Sequence, residues 1–418
     1  MTAKTKYSEL VQGQSITTLD KFVLESGKVL KNVPVAYKTW GKLNAEKSNV
    51  LVLCHALSGS CDVEDWWGPL IGPGRTFDTT RFFIFCGNVF GSPYGTASPI
   101  TIDPATNKPY GPNFPQTTIR DDVRVHRRIL DSLGVEYVRF VIGGSMGGMQ
   151  VLEWAFFGDY VKNIIPIATS GRHSAWCISW GEAQRQSIYS DPKYLDGTYE
   201  MSDPPVSGLS AARMAAMLTY RSRNSFEQRF GRKVMPTKSV DDHEEVHKLQ
   251  HNEGNKYSLH IPGKAIEKND KEFSVYSAQS YLRYKGDAFV NRFDANCYIA
   301  ITRKLDTHDI SRGRGSYQEA LAQIQQPTLV IGVDSDGLFT VDEQYELGNG
   351  IPNSQVVIIQ SGEGHDGFLL EFQQMRDLLT SFIKDRAPEL LEQEPIEIKV
   401  QESKASVFGE AEGDMLMW

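Results

Sequence analysis

The stretch Glu136-Tyr-Val-Arg-Phe-Val-Ile-Gly-Gly-Ser-Met-Gly-Gly-Met-Gln-Val-Leu-Glu-Trp-Ala-Phe-Phe157 decides the fold. Residues 137–142 form a short β-branched and aromatic run, the composition of a buried strand. From Met146 onward, Met149, Leu152, Trp154, Ala155 and Phe156 recur at mostly helical spacing, with neither Gly nor Pro between Gly148 and Gly158. Between the two lies Gly143-Gly144-Ser145-Met146-Gly147, a G-x-S-x-G in the strand–turn–helix context where that pattern carries chemistry. A strand that passes into a helix within a residue or two forces its central residue into a strained backbone conformation. Small residues two before and two after let the chain turn that tightly. The serine hydroxyl is then held out at a sheet edge, and the next N–H opens a helix, where negative charge is stabilised. A glycine-rich turn whose serine only caps the helix is the plainer alternative; strand and helix on either side favour the nucleophile.

Outward from this turn, the same edge recurs. Val50-Leu-Val-Leu-Cys54 is a continuous apolar run, the mark of a strand covered on both faces, and it leads into the small-residue loop His55-Ala-Leu-Ser-Gly-Ser60. Open parallel sheets bind ligands at such strand ends. Residues 82–86 repeat the strand pattern, and residues 118–133 form an amphipathic helix feeding the strand before Ser145. Residues 22–40 alternate around Ser26-Gly27 as an antiparallel hairpin. Beyond the serine helix, residues 163–168 form another buried strand, so strands alternate with helices around a parallel sheet. The pattern breaks from about residue 171 to 324, where only helix-like segments such as 211–221 and 272–291 occur, as in an inserted lid. Strands resume at residues 327–333 and 354–359, followed by a helix over 368–384. The expected division is a core over 1–170, a helical lid over 171–325 with a charged loop near 233–271, core again over 326–386, and a mobile acidic tail over 387–418.

A serine hydroxyl is a weak nucleophile at neutral pH and needs a base, which in turn needs an orienting carboxylate. In the α/β-hydrolase fold the chain order is Ser, then Asp or Glu, then His. The two resumed strands end in Asp334-Ser335-Asp336 and in Gly362-Glu363-Gly364-His365-Asp366. Both follow a strand's C-terminal end, as Ser145 does. His365 is the candidate base, and Asp334 and Asp336 compete for the orienting role on spacing alone. Oxyanion donors are expected from the Met146 N–H and from Leu57 N–H in the loop after residue 54. His243-Glu-Glu-Val-His247, with His251 one turn on, matches a zinc-peptidase motif, but its charged surroundings read as a solvated segment, so no metal is expected.

The chain has 418 residues, 40% of them hydrophobic and 23% charged, with a formal net charge of −8. That is an ordinary globular composition, and the negative balance argues against nucleic acid or an anionic membrane as main partner. Five scattered cysteines suit free thiols in a reducing compartment. The first ten residues carry no apolar signal core, and no window approaches the ~20 apolar residues of a membrane helix. A cytoplasmic enzyme is expected.

The chain resembles the homoserine O-acetyltransferase family, a branch of the α/β-hydrolase superfamily, over most of residues 20–385. The marks are His55-Ala-Leu-Ser-Gly-Ser60, Ile71-Gly-Pro-Gly74, Gly91-Ser-Pro-Tyr-Gly-Thr96, Pro115-Gln-Thr-Thr-Ile-Arg-Asp121, the Ser145 turn with Gln150-Val-Leu-Glu-Trp-Ala155, and Ile164-Ile-Pro-Ile-Ala168. Further on, Ala212-Arg-Met214, Leu218-Thr-Tyr-Arg-Ser222, Ser280-Tyr-Leu-Arg-Tyr284 and Arg292-Phe-Asp-Ala-Asn296 match as well. The resemblance implies an α/β-hydrolase fold with a mostly parallel sheet and an inserted helical lid. It also implies acetyl transfer from acetyl-CoA, a co-substrate and not a bound cofactor, to the hydroxyl of L-homoserine through an acetyl-serine, a step in methionine biosynthesis. By the same resemblance Ser145 is the nucleophile, His365 the base and Asp336 the orienting acid, with Leu57 and Met146 as oxyanion donors. Arg213 and Tyr220 would meet the amino-acid carboxylate and Asp366 its ammonium, a fixed cation and anion for a zwitterion. A homodimer through the lid helices is expected. The charged stretch near 233–271 and the acidic C-terminal extension point to a fungal member. Relatives that acylate serine or use succinyl-CoA, and an esterase or thioesterase with the same triad, are not separated by these motifs.

Overall fold

The computed structural model describes residues 5–233, 276–392 and 394–396. The His243–His247 motif, His251, most of the charged loop and residues 397–418 lie outside the described residues. An eight-stranded sheet forms the centre: β1 (Ser15–Val23), β2 (Val29–Trp40), β3 (Val50–Cys54), β4 (Phe83–Gly87), β5 (Val138–Gly144), β6 (Val161–Ile167), β7 (Thr328–Val333) and β8 (Ser354–Ile359). Their spatial order is β1-β2-β4-β3-β5-β6-β7-β8. The hairpin of β1 and β2 is antiparallel and joins β4 antiparallel; from β4 to β8 every pairing is parallel. The hairpin turns where Gly27 takes φ +81°, at the expected Ser26-Gly27, but β1 begins at Ser15, earlier than its alternation suggested.

The continuous apolar runs are buried for the expected reason. β3 and β4 have every residue covered, because helices pack on both faces of a parallel sheet. Helix α1 (Ile119–Ser132) opens with a capping box in which Thr118 accepts from the Asp121 N–H while Asp121 accepts from that of Thr118. Its Ile119, Val123, Ile129 and Leu130 are buried. Helix α2 (Met146–Ala155) follows β5 directly and is buried along its whole length.

Register aligns the loops that matter. Cys54 pairs with Gly143, Gly144 with Ile167, Ile167 with Ile331, and Val333 with Ile359. The chain therefore leaves β3, β5, β7 and β8 along one edge. Between β6 and β7 the described insert is helical, including α3 (Ala175–Tyr189), α4 (Val206–Tyr220), α5 (Ser277–Arg292) and α6 (Ala295–Asp306). One of its links to the core is a fully buried ion pair. Lys304 Nζ on α6 stands 2.7 Å from Asp122 Oδ2 on α1 and donates to the Phe90 carbonyl at 2.6 Å. Removing one partner leaves the other charge buried alone, so Asp122→Ala should destabilise the fold by about 3–5 kcal/mol. Urea unfolding checks this, and an unchanged midpoint would contradict it.

Two expectations need correction. The helix expected over 368–384 is two pieces, Gly367–Leu370 and Phe372–Arg386, because Glu371 (φ −81°, ψ 54°) leaves helical geometry. The chain beyond Arg386, expected as a mobile tail, begins as a packed segment. Pro388–Glu392 is a short helix with Leu390 buried, and the Ile396 N–H donates to the Thr80 carbonyl. The paired leucines Leu390 and Leu391 supply an apolar face within an acidic run. No helix among the described residues is long and apolar enough to cross a membrane, and the five cysteines are buried free thiols.

Candidate active site

Ser145 sits between β5 and α2 at φ 59°, ψ −125°, the strained backbone that the strand-to-helix turn demands. The strain is held from several sides. The Ser145 N–H donates to the Ile167 carbonyl at 2.9 Å, and its carbonyl accepts from the Met149 N–H and from Thr169 Oγ1. Gly147 is required by close approach, since a Cβ there would lie 2.1 Å from the Cys54 carbonyl oxygen. That contact lays the Ser145 turn against the exit of β3 and brings the His55–Ser60 loop beside it. Met146 is the first residue of α2, so its N–H is among the helix's opening donors, which lack intrahelical acceptors.

Leu57 is a central residue of a turn closed by the Gly59 N–H on the Ala56 carbonyl at 3.1 Å. His55 reinforces it. Its Nε2 accepts from the Val89 N–H, so its Nδ1 carries the proton and donates to the same Ala56 carbonyl at 2.8 Å. A trans peptide points its N–H opposite to its C=O. Two donors on the Ala56 carbonyl therefore aim the Leu57 N–H away from them, out of the turn.

Asp336 and His365 meet after β7 and β8. His365 Nδ1 donates to Asp336 Oδ2 at 2.7 Å, and Asp336 Oδ1 accepts from the Leu338 and Phe339 N–H groups at 2.8 and 2.9 Å. Asp334, its rival on spacing, accepts from the Ser361 N–H and so stitches the two loops together. Burial pulls the His365 pKa down, but the Asp336 carboxylate more than offsets this, with Asp366 and Glu343 adding to it. The ring ends above the ordinary histidine value. The ring of Phe368 joins this pair to the serine turn. It lies 5.4 Å from the His365 ring, and a Cβ on Gly144 would fall 2.3 Å from its edge.

From the insert, α4 brings Arg213 and Tyr220 to this rim, two turns apart on one face. Arg213 is buried, with Nη1 3.3 Å from Ser58 Oγ and its guanidinium over the Phe289 ring. The Tyr220 ring centre is 6.2 Å from that of His365. Asp366 follows His365 directly, and its carboxylate forms an ion pair with Arg221 Nε at 3.0 Å; Arg221 also pairs with Glu363. Gly364 admits this contact, since a Cβ there would lie 2.5 Å from the Ser222 nitrogen. The insert is thus fastened on both sides of His365. Residue-by-residue reading missed Arg221, Ser58 and Arg292, although each lies within a quoted motif.

Residues 49–372 match the family model described as the alpha/beta hydrolase fold. Homoserine O-acetyltransferase of Emericella nidulans is 51% identical, with 99% of this chain and 96% of that protein covered. The enzyme of the same name from Saccharomyces cerevisiae is 52% identical over 97% of this chain and 94% of its own. The chain belongs to the homoserine O-acetyltransferase family. Within the wider fold, the crystal structure of esterase E22 superposes with a TM-score of 0.72 at 26% identity, covering 88% of this chain and 99% of that one. An acetyltransferase family and an esterase structure on one fold are compatible, because a single fold can host more than one reaction.

Proposed function

We propose that the protein transfers an acetyl group from acetyl-CoA to the side-chain hydroxyl of L-homoserine through an acetyl-Ser145 intermediate. Ser145 Oγ attacks the thioester carbonyl as His365 Nε2 takes its proton. The tetrahedral oxyanion is held by the Leu57 and Met146 N–H groups. Collapse expels the CoA thiolate, which receives the proton from His365, and leaves acetyl-Ser145. The acceptor hydroxyl then gives its proton to His365 and attacks the ester, and the second collapse returns the proton to Ser145 Oγ. Asp336 stabilises the imidazolium in both halves and fixes Nδ1 as the protonated nitrogen.

The observation that carries transfer over hydrolysis is the buried Arg213 guanidinium beside the serine turn's neighbour Ser58. Water as acceptor gives a fixed buried cation no task, whereas a zwitterion's carboxylate matches its fork. In this reading Tyr220 adds a second contact to that carboxylate and Asp366, oriented by Arg221, takes the ammonium. The test is release of free CoA from acetyl-CoA with and without L-homoserine or L-serine. Strict dependence on one amino acid supports the transferase and names its acceptor; release independent of acceptor favours an esterase or thioesterase.

Arg213→Ala should lower kcat/KM for the acceptor about 100-fold or more, as expected for one partner of a buried charge pair, while Ser145 still becomes acetylated. Equal damage to both half-reactions would contradict its role. Homodimerisation through the insert is part of the proposal. Helices α3, α4 and α5 carry the exposed apolar residues Trp176, Ile178, Leu218 and Tyr284, surface that a second copy would cover. Sedimentation showing only monomer would argue against it.

A further inference from the structure

We infer that Arg292 is a positioning residue for the oxyanion loop, a guanidinium from the insert that holds the Ser58 carbonyl and thereby sets the aim of the Leu57 N–H. This rests on the reading of Leu57 as an oxyanion donor. The Ala56–Gly59 turn has an inner and an outer side. On the inner side, Gly59 and His55 both donate to the Ala56 carbonyl. Those bonds tie the Ala56–Leu57 peptide, which carries the Leu57 N–H, to the Ser58–Gly59 peptide, whose own carbonyl points the opposite way and forms the outer half of the turn.

The outer half is held from the insert. Arg292, the last residue of α5, donates from Nη1 to the Ser58 carbonyl at 2.8 Å and to the Tyr94 hydroxyl at 3.0 Å. Arg292 is itself fixed. It is buried, its guanidinium lies over the Phe289 ring, and Tyr94 packs edge-on against Phe293 while its carbonyl accepts from Asn88 Nδ2. Phe289 is also the ring beneath Arg213, whose Nη1 reaches the Ser58 hydroxyl. Of the two guanidiniums on this ring, Arg292 bonds the Ser58 main chain and Arg213 only its side chain, so the aim of the turn's peptides falls to Arg292. A charge-assisted hydrogen bond to a buried carbonyl is stronger than the turn's own amide bond. The residue so fixed is the one next to Leu57. Geometry of the donor matters because an oxyanion donor acts only when its N–H meets the oxygen at hydrogen-bond distance in the transition state.

The test uses Arg292→Leu and Arg292→Lys in the full chain, with circular dichroism and thermal melting to show that each is folded. Single-turnover acetylation of Ser145 by acetyl-CoA should slow about 10- to 100-fold in Arg292→Leu, with donor affinity little changed. Infrared difference spectra with isotope-labelled acetyl should show the acyl-enzyme carbonyl stretch at higher wavenumber, because a misaimed N–H polarises it less. Arg292→Lys, which keeps one charged donor, should fall between wild type and Arg292→Leu in both readouts. Should Arg292→Leu fail to fold, the lysine variant decides alone. A folded variant that acetylates at the wild-type rate with an unshifted carbonyl band overturns the inference. A wild-type protein that never forms acetyl-Ser145 would instead strike the proposed function, so the two failures are distinct.

Discussion

Replacing Ser145 with alanine should lower acetyl transfer about 10⁵- to 10⁶-fold, the scale on which removing a triad serine acts. The reason is local. Ser145 stands at φ 59° with its main chain tied to Ile167, Met149 and Thr169, so alanine inherits the same backbone and the fold should survive. What disappears is the hydroxyl proposed to take the acyl group. The residual rate then comes from the oxyanion donors and from binding. Stopped-time assays of CoA release measure it, and a Ser145→Ala protein within a few-fold of wild type would refute a covalent route.

Asp336→Asn should cost about 10⁴-fold in the same assay, and for a more specific reason. The Leu338 and Phe339 N–H groups donate to Asp336 Oδ1. An asparagine carbonyl can accept both, which turns its NH₂ toward His365 Nδ1. The imidazole must then carry its proton on Nε2, where the base is needed, and it cannot accept from Ser145. The pH profile should change as well. With Asp336 present, the His365 pKa lies above the ordinary histidine value. Since the neutral ring is the proposed base, acetylation should fall as pH drops through that raised value. Without that carboxylate, burial pulls the pKa down against the smaller opposing effects of Asp366 and Glu343, so the acid limb of the residual activity should move to lower pH. A limb that stays in place would show that another group governs it.

How much of this was legible beforehand depended on whether a feature is local. The strand–turn–helix around Ser145 is written in consecutive residues, and the register of β3, β5, β7 and β8 then carries their loops to one edge. Hydrophobic period is enough to find those strands. The choice between Asp334 and Asp336 was not local. Both follow β7, and only the path of the next loop turns one toward Ser361 and the other toward His365. Arg213 and Arg292 were still less legible from residues alone. Each is a cation on a helix, and the contact that places it beside the loop is with Ser58, which is 155 and 234 positions away in the chain respectively. The family resemblance pointed to Arg213; only the folded chain pointed to Arg292. The acidic composition after Arg386 concealed the docking of Leu390 for a similar reason, since average charge hides a two-residue apolar anchor.

The central claim is a covalent acetyl-enzyme resolved by an amino-acid alcohol. Its most direct measurement is intact-mass spectrometry of the full chain mixed with acetyl-CoA, followed by addition of L-homoserine. One acetyl group should appear, map to the peptide containing Ser145, and leave as O-acetylhomoserine only when the amino acid is added. An enzyme that never gains the acetyl group, or sheds it equally fast into water alone, would contradict the account.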